Sequence, residues 1–503
     1  MHACGYTFDS LSNRRKYMNN AARFWRILLG AFATIAIVRG IVLVCHTPLV
    51  AIANNYDEIR ELACQDLGPW RPGVNAGVAN PPAPFLRYSF QPLSRDACVY
   101  TTNLAFTVPI ALAWRAAEAL NGRPAHSVRR LGELRLAAWF AVAAFATCAF
   151  LRRGRPDLAV AHMAWFSLVG MDPANTLYLA TFYSEPAAIF GLYLAVVAAT
   201  AALLKPSATT LLIAALGAFM LGGSKLQHLI LPMLLGVCFL AAGTRASRRA
   251  ALALVVGGAL GCALQVGNQT RDTWMNRDMA MINRMDYVLT VLLEDTSDRD
   301  RVARALALDE GCVSHHGKNV FEIDMPSEKA CPNNAEWRKS MMWWLLVSDP
   351  VALGRAAMRV PSLLLPWLPQ KLGFVEGESY AGLPPSTPSI APVLGASPAA
   401  AGALLLMPWL IVAVCCTRRD WRIARAFALV CAVGSSSVCA VALLGDGTVD
   451  FPKHAQLAPS LALGALLIPF ASLLTYLARR RAAADATALA SERIFTEQSA
   501  LRS

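Results

Sequence analysis

Long apolar runs dominate this chain and constrain its fold more than any other feature. A helix that crosses the ~30 Å hydrocarbon core of a bilayer needs roughly 20 apolar residues. Ten runs reach or approach that length, at 25–50, 99–120, 136–151, 187–204, 208–221, 229–242, 250–266, 400–416, 426–444 and 461–478. Since 56% of the 503 residues are hydrophobic and only 16% are charged, against ~25% charged in an average soluble protein, soluble enzymes, disordered chains and nucleic-acid modules fit poorly. We predict an all-α polytopic membrane protein with about ten, and at most twelve, transmembrane helices.

The basic residues are distributed as such a protein requires. The chain has 46 Lys and Arg against 33 Asp and Glu, a net charge of +13, and the cytoplasmic turns of membrane proteins collect Lys and Arg. The turns that the ten spans leave in the cytoplasm carry basic residues at 14–16, 23, 123, 129, 130, 205, 245, 248, 249, 418, 419, 422, 425 and 479–481. This pattern predicts a multi-pass protein with both termini in the cytoplasm, and it needs no nucleic-acid partner.

Two segments leave an alternative open. If the apolar stretch 158–170 were a further span, every later basic turn would move from the cytoplasmic to the outer side. We therefore expect this stretch to be re-entrant or interfacial, with the arginines of 152–155 outside. The first run and the triplet Ala51-Ile52-Ala53 imitate a cleaved signal peptide. Because the run exceeds the roughly 7 to 15 residues of a signal-peptide core, we expect an uncleaved first helix.

The spans divide the chain into five parts. These are a cytoplasmic N-terminus at 1–24, a transmembrane module at 25–266 that includes an outer loop at 51–98, a large outer loop at 267–399, the C-terminal transmembrane helices at 400–478, and a cytoplasmic tail at 479–503. Within the large loop, the periodic stretch 279–293 and the Trp- and Arg-bearing stretch 341–369 predict interfacial helices.

Each outer loop contains two cysteines, Cys64 and Cys98 in the first and Cys312 and Cys331 in the second. An oxidising outer compartment favours one disulfide within each loop, with four free thiols as the alternative. The pair His315-His316 stands beside Cys312, but no second ligand pair follows at zinc-like spacing, so we expect no metal site there.

Four polar groups stand at turns that the ten spans place on the outer side. They are 54–58, 181–186, 223–228 and 445–454. Each has a simpler explanation: a solvated loop acid, a helix cap, a snorkelling lysine and an Asp-Gly turn. Their shared side of the membrane still indicates one site, whose candidate residues are Asp57, Glu58, Tyr183, Glu185, Lys225, Gln227, His228, Asp446, Asp450, Lys453 and His454.

These motifs, with Ser348-Asp349-Pro350 before an interfacial helix, resemble those of bacterial multi-spanning glycosyltransferases of the GT-C type, and among them the glycan-biosynthesis hexose transferases. The resemblance covers most of residues 25–478. It implies a polyprenyl-phosphate sugar as donor and a glycan, lipid or protein of the cell envelope as acceptor, at the bacterial inner membrane. It makes Asp57 the general base, with Glu58 as the neighbour that could substitute. The chain lacks the Asp-Asp or Glu-Asp doublet and the large C-terminal soluble domain of better-known subgroups.

The expected reaction is a single displacement with inversion at the anomeric carbon, in which Lys225, Lys453 or His454 stabilises the departing phosphate. No cofactor is certain, and a divalent cation is left open. Two other classes remain: a polymerase or ligase of lipid-linked glycans, which would depend on outer-loop arginines, and a transporter or flippase, which predicts repeats and charges at mid-membrane depth. The sequence shows neither a clear repeat nor deep charges in most spans.

Overall fold

The protein is almost entirely helical. The computed structural model describes residues 5–47, 49–53, 55–70, 86–122, 124–368, 373–374, 387–481 and 483. The first half contains α1 (Gly5–Cys45), α2 (Asn55–Leu62), α3 (Leu104–Asn121), α4 (Arg129–Leu151), α5 (Pro156–Trp165), α6 (Pro173–Thr176), α7 (Glu185–Leu204), α8 (Ala208–Gly222), α9 (Leu231–Leu240) and α10 (Arg245–Gln269). The prediction of an all-α membrane protein is confirmed at this level. Of the predicted terminal segments 1–24 and 479–503, residues 1–4, 482 and 484–503 lie outside the described residues.

The second half continues with α11 (Trp274–Tyr287), α12 (Leu293–Asp295), α13 (Arg299–Leu306), α14 (Glu310–Ser314), α15 (Ser327–Ala330), α16 (Lys339–Val347), α17 (Pro350–Leu363), α18 (Ala391–Leu394), α19 (Pro398–Cys416), α20 (Arg422–Asp446), α21 (Phe451–His454) and α22 (Leu457–Gly464). Two π-helical segments, Phe166–Gly170 and Val288–Leu292, extend α5 and α11. Short 3₁₀ helices lie at Arg95–Ala97, Leu226–His228, Val320–Glu322 and Asn334–Glu336.

Seven helices in the described part of the chain are long and apolar enough to cross a membrane. They are Arg23–Cys45, Arg129–Leu151, Glu185–Leu204, Arg245–Gln269, Pro398–Cys416, Arg422–Asp446 and Leu457–Arg481. Two shorter apolar helices, Ala208–Gly222 and Leu226–Leu240, lie between them in the chain. The seven correspond to seven of the ten runs predicted from the sequence.

The run at 99–120 was predicted to be a span, and the structure differs there. It forms α3, and the strand that follows it, β4 (His126–Ser127), pairs with β3 (Arg87–Phe90). β3 also pairs with β2 (Leu67–Pro69), so β4 belongs to a small antiparallel sheet with first-loop residues. A second pair joins β1 (Ile52–Ala53) to β5 (Gly373–Phe374).

Helix directions show which end of the molecule α3 occupies. Arg129, at the start of α4, donates hydrogen bonds to the carbonyls of Val44 and His46 at the end of α1, while Gly40 packs against Leu136. Because α1 and α4 are therefore antiparallel, the chain between them begins and ends at the same end of the bundle. A single crossing by α3 would instead make α1 and α4 parallel.

The stretch 158–170 also differs from its expected re-entrant form. It belongs to α5 and its π-helical extension, which run parallel to α1: Leu158 packs in the cluster that contains Trp25, and Arg39 donates to the carbonyl of Ser167 at 2.8 Å. The last helix runs against it, because Ser460 contacts Asn175 and Thr475 contacts Asp157. Residues 156–170 thus pass through the bundle.

Successive helices alternate in direction through the remaining bundle. Gly191 of α7 packs against Leu221 of α8, and Gly217 of α8 against Ala195 of α7, which makes the two helices antiparallel. A Cβ at Gly191 would lie 2.5 Å from the Leu221 backbone nitrogen, so this close approach requires glycine. At the turns, Ser207 and Thr244 cap α8 and α10 with reciprocal side-chain and backbone hydrogen bonds.

The alternation gives the bundle two chemically different ends. One end, which we call the basic end, holds the turns 152–155, 205–207, 241–244 and 417–421 and residues 479–481. The opposite end, which we call the charged end, holds the described residues of 46–128, 171–184, 223–228, 270–397 and 447–456. Residues 129 and 130, which were predicted to be cytoplasmic, lie at the charged end, and residue 123, predicted with them, lies outside the described residues. Residues 152–155, which were predicted to lie outside, are at the basic end with the other basic turns.

Both loops at the charged end contain a disulfide. Cys64 is bonded to Cys98, and Cys312 is bonded to Cys331. The first bond ties the segment that follows α2 to the segment that precedes α3. This pairing is the one that the sequence analysis favours.

Candidate functional site

The four polar groups singled out in the sequence meet at the charged end of the bundle. Asp57 comes from α2 in the first loop, Glu185 begins α7, Lys225 lies in the turn between α8 and α9, and Lys453 lies in α21. Ion pairs connect these segments, which are separated by up to 396 positions in the chain. We call this group of residues the charged cluster.

Lys453 lies at the centre of the charged cluster. Its Nζ donates to Asp57 Oδ2 at 2.9 Å and to Asp450 Oδ2 at 3.3 Å. The guanidinium of Arg60, one helical turn after Asp57, lies 2.7 Å from Asp57 Oδ1. The Lys453 ammonium also lies 5.7 Å from the centre of the Tyr183 ring, within the range of a cation–π contact.

These contacts fix the protonation of the central pair. Burial opposes ionisation of Asp57, but the nearby cations Lys453, Arg60 and Lys225 hold the pKa of its carboxyl well below the usual range. Burial likewise opposes the charge on Lys453, but Asp57 and Asp450 raise the pKa of its ammonium above the ordinary value. The pair is therefore ionised on both sides at neutral pH.

A second set of contacts adjoins the first. Lys225 forms an ion pair with Glu185 at the start of α7. Gln227 donates through Nε2 to His454 Nδ1 at 2.9 Å, and that nitrogen lies 3.3 Å from Asp446 Oδ2. Burial and the charge of Lys453 lower the pKa of His454 well below its ordinary value. His454 is therefore a neutral hydrogen-bonding group in this arrangement.

Glu58 has a different environment from its neighbour Asp57. Its carboxylate accepts hydrogen bonds from the Tyr88 hydroxyl at 2.9 Å and from the Phe182 backbone N–H at 2.7 Å. Its side chain is fully buried, and this burial raises its pKa to about 7. Asp57, by contrast, keeps 16% of its side-chain surface exposed. Glu58 joins α2 to the segment before α7, whereas Asp57 faces accessible space.

Sequence reasoning missed the residue that holds the segment before α7 in place. Arg135 is fully buried and donates to the carbonyls of Tyr178, Leu179 and Thr181 and to Asn103 Oδ1. It supports the backbone that supplies Tyr183 and Glu185. The available signal was an arginine directly before the apolar run of α4, because a charge at that position requires polar partners.

Glu61 is a second missed residue. It is buried one turn after Glu58 and accepts a hydrogen bond from the Thr101 hydroxyl. Burial raises its pKa to about 7. His228, another predicted site residue, is buried in the turn that follows Lys225 and takes part in none of the ion pairs described above.

The acids of the charged cluster are paired with lysine and arginine. Within the residues that the structure describes, no three His, Cys, Asp or Glu side chains converge as ligands for a metal ion. The pair His315-His316 lies directly after α14, in the second loop, next to the Cys312–Cys331 disulfide.

Comparisons with known proteins leave the site to be interpreted from its own chemistry. The chain matches no protein-family model, no curated protein and no solved structure.

Proposed function

We propose that this protein is an integral membrane glycosyltransferase of the GT-C type that moves a sugar from a polyprenyl-phosphate donor to an acceptor of the bacterial cell envelope. The observation that carries the proposal is the charged cluster. Four separate turns contribute lysines and carboxylates to one place at the end of an apolar helical bundle. A lipid-linked phosphate requires this combination of cations at the membrane surface and apolar helices below it.

The topology that supports this proposal has ten membrane crossings. They are α1, α4, α5 with its π-helical extension, α7, α8, α9, α10, α19, α20 and the helix Leu457–Arg481, which alternate in direction. With the basic end in the cytoplasm, the basic turns at 152–155, 205, 245–249, 418–425 and 479–481 lie inside, as the positive-inside rule requires. The charged end and both disulfides then lie in the oxidising outer compartment.

In the proposed reaction, Lys453 and Lys225 bind the donor phosphate. A hydroxyl oxygen of the acceptor attacks the anomeric carbon from the face opposite the phosphate, the carbon–oxygen bond to phosphate breaks, and its electron pair leaves with the phosphate. Asp57 accepts the hydroxyl proton. The anomeric configuration is inverted because there is one displacement.

The Asp57–Lys453 ion pair links donor binding to proton transfer. While Lys453 holds Asp57, the carboxylate is a weak base, because its pKa is well below the usual range. A phosphate that binds Lys453 competes for the same ammonium and adds negative charge nearby, and both effects raise the affinity of Asp57 for a proton. Asp57 therefore becomes a stronger base when the donor is bound.

Two observations weigh against the other classes. The cluster lies at helix ends, around the first residue of α7 and the last of α20, whereas a transporter site is expected near the midplane. The second-loop arginines that a polymerase would use are engaged within that loop: Arg359 pairs with Asp295 at 2.8 Å, and Arg301 donates to Ser348.

The experiment is to measure polyprenyl phosphate released by purified protein in nanodiscs from a panel of polyprenyl-phosphate sugars. We expect release from at least one donor, and a loss of roughly 10²- to 10⁴-fold in Asp57→Asn. Asp272→Asn is the matched control, because Asp272 is an exposed acid whose side chain pairs with Arg277. Absence of release from every donor by correctly folded protein would overturn the proposal.

A further inference from the structure

A long apolar cavity lies inside the bundle, away from the charged cluster. It has a volume of about 620 Å³ and lies between α4, α5, α7, α20 and the last helix. Its walls follow α5 from Arg155 to Gly170, a distance of ~22 Å at 1.5 Å per residue. The length, which approaches the ~30 Å of a bilayer core, and the aliphatic and aromatic walls suit a hydrocarbon chain.

The cavity is closed toward the charged end and accessible toward the basic end. At the closed end, Ser460 donates to Asn175 Oδ1 at 3.1 Å, and Gln456 donates to the carbonyl of Ala174 at 2.7 Å. These buried groups separate the cavity from the charged cluster. At the other end the lining includes Asp420 and Arg479, which are both exposed. A ligand that enters the cavity therefore comes from the leaflet at the basic end.

The entrance carries positive charge. Arg155 and Arg479 line both this cavity and a neighbouring cavity of about 490 Å³ that reaches Trp25. Arg155 pairs with Asp157 at 2.7 Å, and Arg479 forms no ion pair with any described residue. The arginine-rich turn 152–155 and Lys205 lie at the same end of the bundle and outnumber the acids Asp157 and Asp420.

We propose that this cavity binds a two-chain anionic phospholipid from the leaflet at the basic end, with one acyl chain inside the cavity and the phosphate at Arg155 and Arg479. The neighbouring cavity, which shares both arginines, extends the polar entrance toward Trp25. The site is independent of the proposed transferase activity, because a polyprenyl-phosphate donor would place its phosphate at the opposite end of the molecule.

The test is native mass spectrometry of the full-length protein in detergent, titrated with phosphatidylglycerol or with phosphatidylcholine of the same chain length. We expect one tightly bound phosphatidylglycerol and at least tenfold weaker phosphatidylcholine binding. Arg479→Ala should weaken phosphatidylglycerol binding about tenfold, the loss of one charge-assisted contact. Arg418→Ala, at the basic end but outside the cavity wall, is the control and should bind as the wild type does.

A second variant fills the cavity. Gly464 lies in its wall, and a Cβ there would meet its nearest neighbour, Cys431 Sγ, at an ordinary 3.4 Å. Gly464→Leu should therefore fold and lose the bound lipid. Wild-type affinity in Gly464→Leu, equal binding of the two phospholipids, or one-for-one displacement of phosphatidylglycerol by polyprenyl phosphate would each overturn the proposal. Should Gly464→Leu fail to fold, the exposed Arg479→Ala variant still decides it.

Discussion

Lys453 Nζ lies 2.9 Å from Asp57 Oδ2, although 396 positions of the chain separate the two residues. The contact joins the first loop to the turn before the last helix. Because both residues are held by further partners, Arg60 for Asp57 and Asp450 for Lys453, the pair is part of a fixed network. This network makes the charge of one residue depend on the presence of the other.

The first prediction concerns the cation of this pair. Lys453→Met removes the ammonium but keeps a side chain of similar length, so donor turnover should fall roughly 10²- to 10³-fold. Because Lys453 is the strongest of the cations that lower the pKa of Asp57, the pKa of Asp57 should rise. The acidic limb of the pH–rate profile, measured on the remaining activity of Lys453→Met, should then move to higher pH. Lys453→Arg should retain part of the activity, and an unchanged limb in Lys453→Met would contradict the ion pair.

A second prediction concerns the disulfide next to α2. Replacing Cys64 and Cys98 by alanine should lower the free energy of unfolding of the loop by about 2 to 4 kcal/mol. It should also reduce activity, because the bond closes a loop just after the helix that carries Asp57 and Arg60. The Cys312→Ala and Cys331→Ala pair is the matched control, with a similar stability loss and a smaller loss of activity. Thermal unfolding and turnover of both double variants measure the difference, and equal activity losses would contradict this role.

A third prediction follows from the buried carboxyl of Glu58. Burial raises its pKa in the folded protein to about 7, from 4.5 for a free glutamate. Between these two values the folded state binds more protons than the unfolded state, so stability is greatest at low pH and falls as the pH rises from about 4.5 to 7. The loss from this group is on the order of 3 kcal/mol.

Thermal unfolding of Glu58→Gln between pH 5 and 8 measures this contribution. The variant should lose part of the wild-type pH dependence, and Glu61 and Asp286, whose pKa values burial also raises to about 7, should contribute to the remainder. Glu328→Gln, at an exposed acid of the second loop, should show the same change in stability with pH as the wild type. If the stability of Glu58→Gln also changed with pH as much as that of the wild type, Glu58 would not be buried as described.

A fourth prediction concerns α3. Cysteines introduced at Asn121 and Arg152, which are both exposed, should be labelled by a membrane-impermeant maleimide from opposite sides of the membrane. The background should have its unpaired cysteines replaced by alanine. We expect Asn121→Cys to react from outside and Arg152→Cys only after the inner side is opened. Labelling of both from the same side would contradict the proposed path of the chain.

Much of this arrangement could be predicted from local patterns. The apolar runs indicate a helical membrane protein because a bilayer requires that length and composition. The four polar groups could be found because acids, lysines and glycines interrupt the apolar pattern at turns. The disulfide partners could be proposed because each polar loop contains only two cysteines.

The path of the chain between α1 and α4 could not be predicted in this way. The run at 99–120 is apolar enough to imitate a span, and its position is fixed by the long-range pairing of His126 with Tyr88. Counting 99–120 as a span also changed the side of the membrane predicted for residues 152–155, because one additional crossing exchanges the two sides for the turn that follows. Pairing between distant short strands leaves almost no local pattern.

The pairing of residues within the charged cluster could not be predicted from the sequence either. That Asp57 pairs with Lys453, while Glu58 bonds to Tyr88 and the backbone of Phe182, depends on which face of α2 packs against the segment before α7. Adjacent residues on a helix point in directions about 100° apart, so one acid can be buried while its neighbour is accessible. Only the packing decides which one.

A double-mutant cycle on Asp57 and Lys453 tests the central claim most directly. The rate of polyprenyl phosphate release would be measured for the wild type, Asp57→Asn, Lys453→Met and the double variant, each shown to be folded by gel filtration. If the two residues act as one unit, the double variant should be no more than a few-fold slower than the worse single variant. Losses that multiply, as for independent sites, would contradict the account.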